Sequence, residues 1–89
     1  MNWRIDFSDI AFKFLRRNHL QESFIADKII LVIRKFRGED VNVSIGKLTG
    51  EWEGFYRIRV GKLRIIVSFQ FESYKAHIDK IDWRGNAYK

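Results

Sequence analysis

"FYRIRVGKLRIIVSFQF", residues 55–71, decides the fold that this sequence predicts. Apolar and charged side chains alternate from Tyr56 to Val60, which is the pattern of a strand with one buried face. Arg57 and Arg59 point away from that buried face. Gly61 marks a turn, and the apolar run after it predicts a second strand, antiparallel to the first. The chain is therefore expected to contain a β-hairpin with arginines on its open side.

The residues before this hairpin predict one strand and a pair of helices. Residues 2–7 alternate in the same way as the hairpin, which indicates a strand. Ser8 is a suitable N-cap for a first helix, which Asn18 closes, and Asn18 is also expected to help cap the second helix. That second helix spans about residues 20–37, because Gly38 is a typical residue to follow a helix end. The apolar stripe expected to face the sheet in the first helix is Ile10, Ala11, Phe14 and Leu15.

After the helices the period returns to two, and the chain predicts an antiparallel meander. A short strand is expected within residues 41–48, and a last strand at residues 75–83 follows a turn at Glu72-Ser73. The predicted fold is α+β, βααβββ or βααββββ: a two-helix hairpin packed on one face of a twisted, mainly antiparallel sheet of four to five strands. Residues 1–89 contain no repeat and no linker composition, so a single domain is expected.

Composition restricts the classes of function. With 46% hydrophobic residues in 89, the chain suits one globular domain. It has no cysteine, and its two histidines have no partners at ligand spacing, so we expect no metal and no cofactor. The longest apolar run, residues 29–33, is too short to cross a bilayer, and the start is unlike a secretory signal, so we expect a cytosolic protein. A net charge of +6 attracts polyanions such as nucleic acid, although an acidic protein partner fits equally well.

Three arginines are expected to meet on the open face of the sheet. Arg57 and Arg59 stand two residues apart on one strand, and Arg64 lies just past the turn on the next. A solvated polar face is the simpler interpretation, because antiparallel sheets often expose one side to water. However, no acidic residue occurs between Gly54 and Phe71, and clustered like charges repel one another. Because arginine forks bind phosphate oxygens in a bidentate manner, the pattern favours an anion-binding site.

The C-terminal sequence "IDWRGNAYK", residues 81–89, adds groups of the same kind. An arginine near aromatic rings, here Arg84 with Trp83 and Tyr88, is the combination that stacks an unpaired base and holds its phosphate. Trp83 alternates with Ile81, so core packing is the better interpretation of that ring. Tyr88 is less easily explained as part of the core.

Two stretches resemble the RelE/ParE superfamily of small toxins from bacterial and archaeal toxin–antitoxin pairs. They are "KLTGEWEGFYRIRVGKLRIIVSF" (47–69) and "IDKIDWRGNAY" (78–88), which are similar to the superfamily's "KL-x-G" loop, "YRIRVG" hairpin and terminal "R-x-x-x-Y". The resemblance implies the fold predicted above. It also implies a cognate antitoxin as partner, with operator DNA bound only through that antitoxin.

The branches of the superfamily differ in activity, and the residue set favours one of them. RelE-like members cut messenger RNA in the ribosomal decoding site, by attack of a ribose 2′-OH on the adjacent phosphate, whereas ParE-like members inhibit DNA gyrase without chemistry. This chain has arginines and a tyrosine where RelE-like enzymes have their catalytic set, so the resemblance implies a ribosome-dependent endoribonuclease that inhibits translation. The alternatives are a ParE-like gyrase inhibitor and a degenerate member that acts only in an autorepressor complex.

The resemblance also implies a role for each candidate residue. Arg57 and Arg64 would clamp the phosphate, and Arg84 would neutralise or protonate the leaving oxygen. Tyr88 would stack on or orient the base beside the cut and so hold the 2′-OH in line. The residues expected to grip the flanking RNA are Lys47, Arg59, Lys62 and Lys89. Arginine stands where the family often has lysine and does not readily lose a proton, so no residue is assigned as the general base.

Overall fold

The computed structural model describes residues 2–84, which form two helices and a five-stranded sheet. In chain order the elements are β1 (Arg4–Phe7), α1 (Asp9–Arg17), α2 (Glu22–Phe36), β2 (Ser44–Lys47), β3 (Tyr56–Val60), β4 (Leu63–Gln70) and β5 (Lys75–Trp83). A short 3-10 helix, Gly50–Trp52, connects β2 to β3. Within the described residues, no helix combines the length and apolar character that a membrane span requires.

The strands are arranged in the order β1-β5-β4-β3-β2. Strands β2 to β5 form the predicted antiparallel meander, and β1 pairs in parallel with β5 at one edge. The sheet is therefore mixed but mainly antiparallel. The α+β prediction is confirmed, and the strand count is the larger of the two that the sequence allowed.

The helices and the sheet share a hydrophobic core on one face of the sheet. Among its largest fully buried side chains are Leu15, Ile25, Ile29, Ile58, Ile65, Ile78, Ile81, Val32 and Val67. The prediction is wrong for Ile10, which is 66% exposed. At about 100° per residue, Ile10 lies about 40° beyond Phe14 on the side away from Leu15, so it falls outside the buried stripe of α1.

The ends of the helices follow from their capping groups. Asn18 ends α1, because its backbone N–H and its Nδ2 both donate to the carbonyl of Phe14. It does not cap α2, contrary to the prediction: α2 begins at Glu22, and Gln21 holds the N-cap position without a side-chain capping bond. At its other end α2 stops before Gly38 as predicted, since a φ of 91° suits the left-handed position after a helix.

Ser8 connects the start of α1 to β5. Its Oγ accepts a hydrogen bond from the backbone N–H of Ala11 at 3.1 Å, which is the predicted N-cap, and its hydroxyl donates to the carbonyl of Asp79 at 2.6 Å. Asp79 is the extra residue of a β-bulge, because the register of β4 against β5 skips it. One side chain therefore satisfies a helix N–H and a carbonyl at an irregular point of the ladder.

Ser8→Ala is expected to lower the free energy of unfolding by about 1 to 2 kcal/mol, because both hydrogen bonds are lost. Urea denaturation followed by circular dichroism measures the change. Ser23→Ala is the matched control, since Ser23 is exposed and its hydroxyl donates to the exposed Gln21 side chain at 3.3 Å. Equal losses in the two variants would contradict the role given to Ser8.

Candidate functional site

The face of the sheet turned away from the helices is ordered in rows of cross-strand neighbours. One row consists of Ser44, Arg59, Arg64 and Asp82. The next consists of Gly46, Arg57, Ile66 and Lys80. Directly opposed residues on one face have Cβ atoms about 5 Å apart, so Arg59 faces Arg64 closely and Arg57 lies one row away. The three arginines that the sequence singles out are therefore neighbours.

Arg57 is half-buried and lies across the neighbouring strand β2. A Cβ atom at Gly46 would lie 2.8 Å from Nη2 of Arg57 and 3.5 Å from its Cζ. The Nε of Arg57 is buried and has no hydrogen-bond partner among the described atoms. On its other side the register places Ile66, which is fully buried although it belongs to the open face. The register thus places Arg57 between Gly46 of β2 and the buried Ile66 of β4.

Arg59 and Arg64 differ from each other in how they are held. Arg59 is exposed. Arg64 is half-buried, and its Nη1 donates to the carbonyls of Gly61 and Leu63, each at 2.9 Å. These bonds fold the guanidinium of Arg64 back over the β3–β4 turn. Like charges in directly opposed positions destabilise a sheet, and in this row the carboxylate of Asp82 stands opposite Arg64 on its other side.

The other predicted site residues occupy different places. Arg84 and Lys62 lie at the same end of the sheet, where the backbone N–H of Arg84 donates to the carbonyl of Lys62 at 2.7 Å. Lys47 is exposed on β2, but strand alternation directs it to the helix side, so the structure does not bring it to the arginines. Tyr88 and Lys89 lie outside the described residues.

Positive charge is neutralised at the β1 edge of the open face. Asp6 accepts hydrogen bonds from Lys75 Nζ at 3.2 Å and from Arg4 Nε at 3.1 Å. The bond from Lys75, and then Arg4, hold the pKa of the Asp6 carboxyl below its usual value, although partial desolvation acts in the opposite direction. No carboxylate of the described chain forms such a pair with Arg57 or Arg59. Residues 2–84 also contain no group of three or more His, Cys, Asp or Glu placed to hold a metal ion.

Asp6→Asn is expected to lower the urea midpoint at neutral pH, because asparagine cannot form the ion pairs with Arg4 and Lys75. The folded-state pKa of Asp6 lies below the 3.8 of an unperturbed aspartate, so its stabilising contribution is present at neutral pH and is lost as the pH falls through that pKa. Urea titrations of the unaltered protein and of Asp6→Asn, at neutral pH and at about pH 2, test this. The midpoints of the two proteins should differ at neutral pH and converge in acid. A difference that is the same at both pH values would contradict it.

Gly46 and Ile66 belong to this surface although the sequence did not single them out. A glycine inside a strand often marks a close approach of another group to the backbone, and this was the available signal for Gly46. Ile66 lies in the run "LRIIV", where alternation cannot be read. Its side of the sheet is given by the register with Arg57.

Solved structures share this fold over nearly the whole chain. A chain of the archaeal RelE–RelB complex from Pyrococcus horikoshii is 26% identical, with a TM-score of 0.61, and the match covers 98% of this chain and 100% of that chain. A chain of the YoeB–YefM complex from Staphylococcus aureus is 16% identical, with a TM-score of 0.63, and the match covers 94% of this chain and 99% of that chain. A chain of the E. coli DinJ–YafQ toxin–antitoxin complex is 13% identical, with a TM-score of 0.61, and the match covers 93% of each chain. No protein-family model and no curated protein sequence matches the chain.

Proposed function

We propose that this chain, a member of the RelE-like toxin superfamily by its fold, is the toxin of a toxin–antitoxin pair and a ribosome-dependent endoribonuclease that cuts messenger RNA. The observation that carries the proposal is the group of neighbouring arginines on β3 and β4. Within it, Arg57 and Arg59 have no carboxylate partner among the described residues. Unneutralised guanidinium groups at this spacing suit the phosphate of an RNA linkage.

In the proposed reaction a ribose 2′-oxygen attacks the adjacent phosphorus while the bond from phosphorus to the 5′-oxygen breaks. The products are a 2′,3′-cyclic phosphate and a 5′-hydroxyl. Negative charge grows on the nonbridging oxygens, and cations that are already in place stabilise it without reorganising. Arg57 suits this role because it is half-buried and packed over β2. Arg64, held by two carbonyls of the turn, is the second member of the clamp.

Arg84 and Tyr88 complete the proposed site from the end of the chain. Arg84 follows β5 beside the same turn to which Arg64 is bonded, so its charge can oppose the negative charge on the departing 5′-oxygen. Tyr88 is proposed to stack on the base next to the cut and so keep the 2′-oxygen in line with the phosphorus. Arginine retains its proton, so another acceptor takes the 2′-OH proton and the solvent supplies the proton that completes the 5′-hydroxyl, while the protein contributes positioning and charge.

The remaining cations are assigned to binding rather than to chemistry. Arg59 is exposed beside Arg57, and Lys62 is exposed in the turn between β3 and β4. Both are proposed to contact phosphates that flank the cut. Lys47 and Lys89 are proposed to contact more distant RNA, of the message or of the ribosome. Such contacts raise affinity through the release of counterions and do not depend on sequence.

The proposed partner is a cognate antitoxin, which covers the arginine group in the resting cell. The comparison structures are complexes of RelE with RelB, of YoeB with YefM and of YafQ with DinJ. A basic surface on which Arg57 and Arg59 have no carboxylate partner among the described residues attracts an acidic or amphipathic segment of a partner. The toxin is proposed to act in the cytoplasm, where the ribosomes are, and to reach operator DNA only through the antitoxin.

Arg57→Ala is expected to reduce cleavage of messenger RNA by about 10²- to 10³-fold, because a preorganised charge at the phosphate is lost. Mapping of transcript 5′ ends in translating cells after induction measures the cuts. Arg17→Ala, on the exposed side of α1, is the control and should cut like the unaltered protein. Intact transcripts accompanied by double-strand DNA breaks would contradict the proposal and support gyrase inhibition.

Arg59→Gln is expected to weaken binding of a single-stranded RNA oligonucleotide and to reduce the slope of log affinity against log salt by about 0.7, which corresponds to one phosphate contact. Fluorescence anisotropy at a series of salt concentrations measures the slope. Arg34→Gln removes the same charge from α2, where Arg34 is paired with Glu39 at 2.9 Å, and should leave the slope unchanged. An equal change in both variants would indicate an effect of net charge only.

A further inference from the structure

Gly46 differs from the other glycines of the described chain. Gly38, Gly50, Gly54 and Gly61 all have positive φ angles, and nothing lies within 4 Å of a Cβ built on any of them. Their backbone conformation is therefore sufficient reason for glycine. Gly46 has no positive φ and pairs regularly with Arg57 in the β2–β3 ladder, so its backbone would accept any residue.

The space beside Gly46 is taken by a single side chain. The atoms within 4 Å of a Cβ at this position are Nη2 and Cζ of Arg57, at 2.8 and 3.5 Å. A contact of 2.8 Å is shorter than side chains tolerate, so an alanine here would force the guanidinium to move. Glycine also weakens a strand, because it adds backbone entropy to the unfolded chain and offers no side chain for packing. Glycine at this position therefore lowers the stability of the strand, and no backbone conformation requires it. The guanidinium of Arg57, which occupies the space of a Cβ, explains why glycine is found here.

We infer that Gly46 is a positioning residue: its missing side chain makes the seat in which the guanidinium of Arg57 rests, aimed at the phosphate. The inference rests on the proposed ribonuclease function. Arg59 provides the contrast, because its neighbour on β2 is Ser44 and its side chain is exposed. Arg57 is held in the geometry that stabilises the transition state, whereas the exposed Arg59 contributes to binding of the RNA strand.

The seat also explains how Arg57 is fixed without a carboxylate. An acidic partner would fix a guanidinium but would neutralise the charge that the phosphate needs. Packing against a bare stretch of backbone fixes the group by shape instead. The register places Ile66 on the other side of Arg57, and the charge of Arg57 has no carboxylate partner within the described residues.

The test is a double-mutant cycle on the full chain, with Gly46→Ala, Arg57→Lys and the two combined. Cleavage of message on programmed ribosomes gives kcat and KM. Gly46→Ala should lower kcat by about 10²-fold with little change in KM, because a displacement of the reacting group by about 1 Å has this effect. Lysine lacks the branched tip that meets the new Cβ, so Gly46→Ala should cost nothing further in the Arg57→Lys background. Ser44→Ala, on the same face of β2, is the control and should leave both constants unchanged.

Additive effects of the two substitutions, or full activity of Gly46→Ala, would overturn the inference. If Gly46→Ala fails to fold while the double variant folds, the conflict with Arg57 is established by that rescue. If neither variant folds, glycine at position 46 is needed for the structure of β2 whatever residue stands at position 57, and the inference fails.

A second measurement separates this inference from the proposed function. The Nε–Hε resonance of Arg57, assigned by its absence in Arg57→Lys, should shift in Gly46→Ala while those of the other arginines stay in place. If the unaltered protein cuts no RNA, the proposed function fails, and this spectrum still decides whether Gly46 seats Arg57. An unshifted Arg57 resonance would overturn the inference even in an active enzyme.

Discussion

The register of β3 against β4 is the constraint on which both the core and the candidate site depend. Ile58 opposite Ile65 directs apolar side chains to the helices, and Arg59 opposite Arg64 directs charge to the open face. A slip of one residue would exchange the two faces, because side chains alternate along each strand. Burying guanidinium groups without partners is far more costly than exposing isoleucines. The arginines therefore help to select the one register in which the hairpin can fold.

Much of the fold could be predicted because alternation is a strong signal when apolar and charged residues take turns. The hairpin around Gly61 shows such alternation, and its arginines were placed correctly as neighbours from spacing alone. Helix ends were harder, since Asn18 can serve either as a C-cap or as an N-cap, and tertiary packing decides between them. Ile10 was misplaced because a nine-residue helix packed mainly on β5 buries only a narrow stripe.

The sequence could not predict which of the arginine side chains lies across a neighbouring strand and which is exposed. Arg57 and Arg59 have the same chemistry and the same facing, yet one is half-buried and the other exposed. The difference arises on β2, from which Gly46 and Ser44 are paired with them. That pairing joins residues more than ten positions apart, and a short strand after a loop gives no local signal of its register. The different surroundings of Arg57 and Arg59 are thus set by a strand that contributes no cation to the arginine group.

The bulge at Asp79 changes which side chains of β5 face the core. Ahead of it Ile78 faces the core, and an unbroken alternation would send Lys80 the same way and turn Ile81 to water. The extra residue exchanges these two directions, so that Ile81 is buried and Lys80 stands in the row of Arg57. A strand of nine residues can in this way follow one hydrophobic pattern at its start and the opposite one at its end. The Ser8 hydroxyl donates to the carbonyl of the inserted residue and caps α1, so the bulge is linked directly to the first turn of that helix.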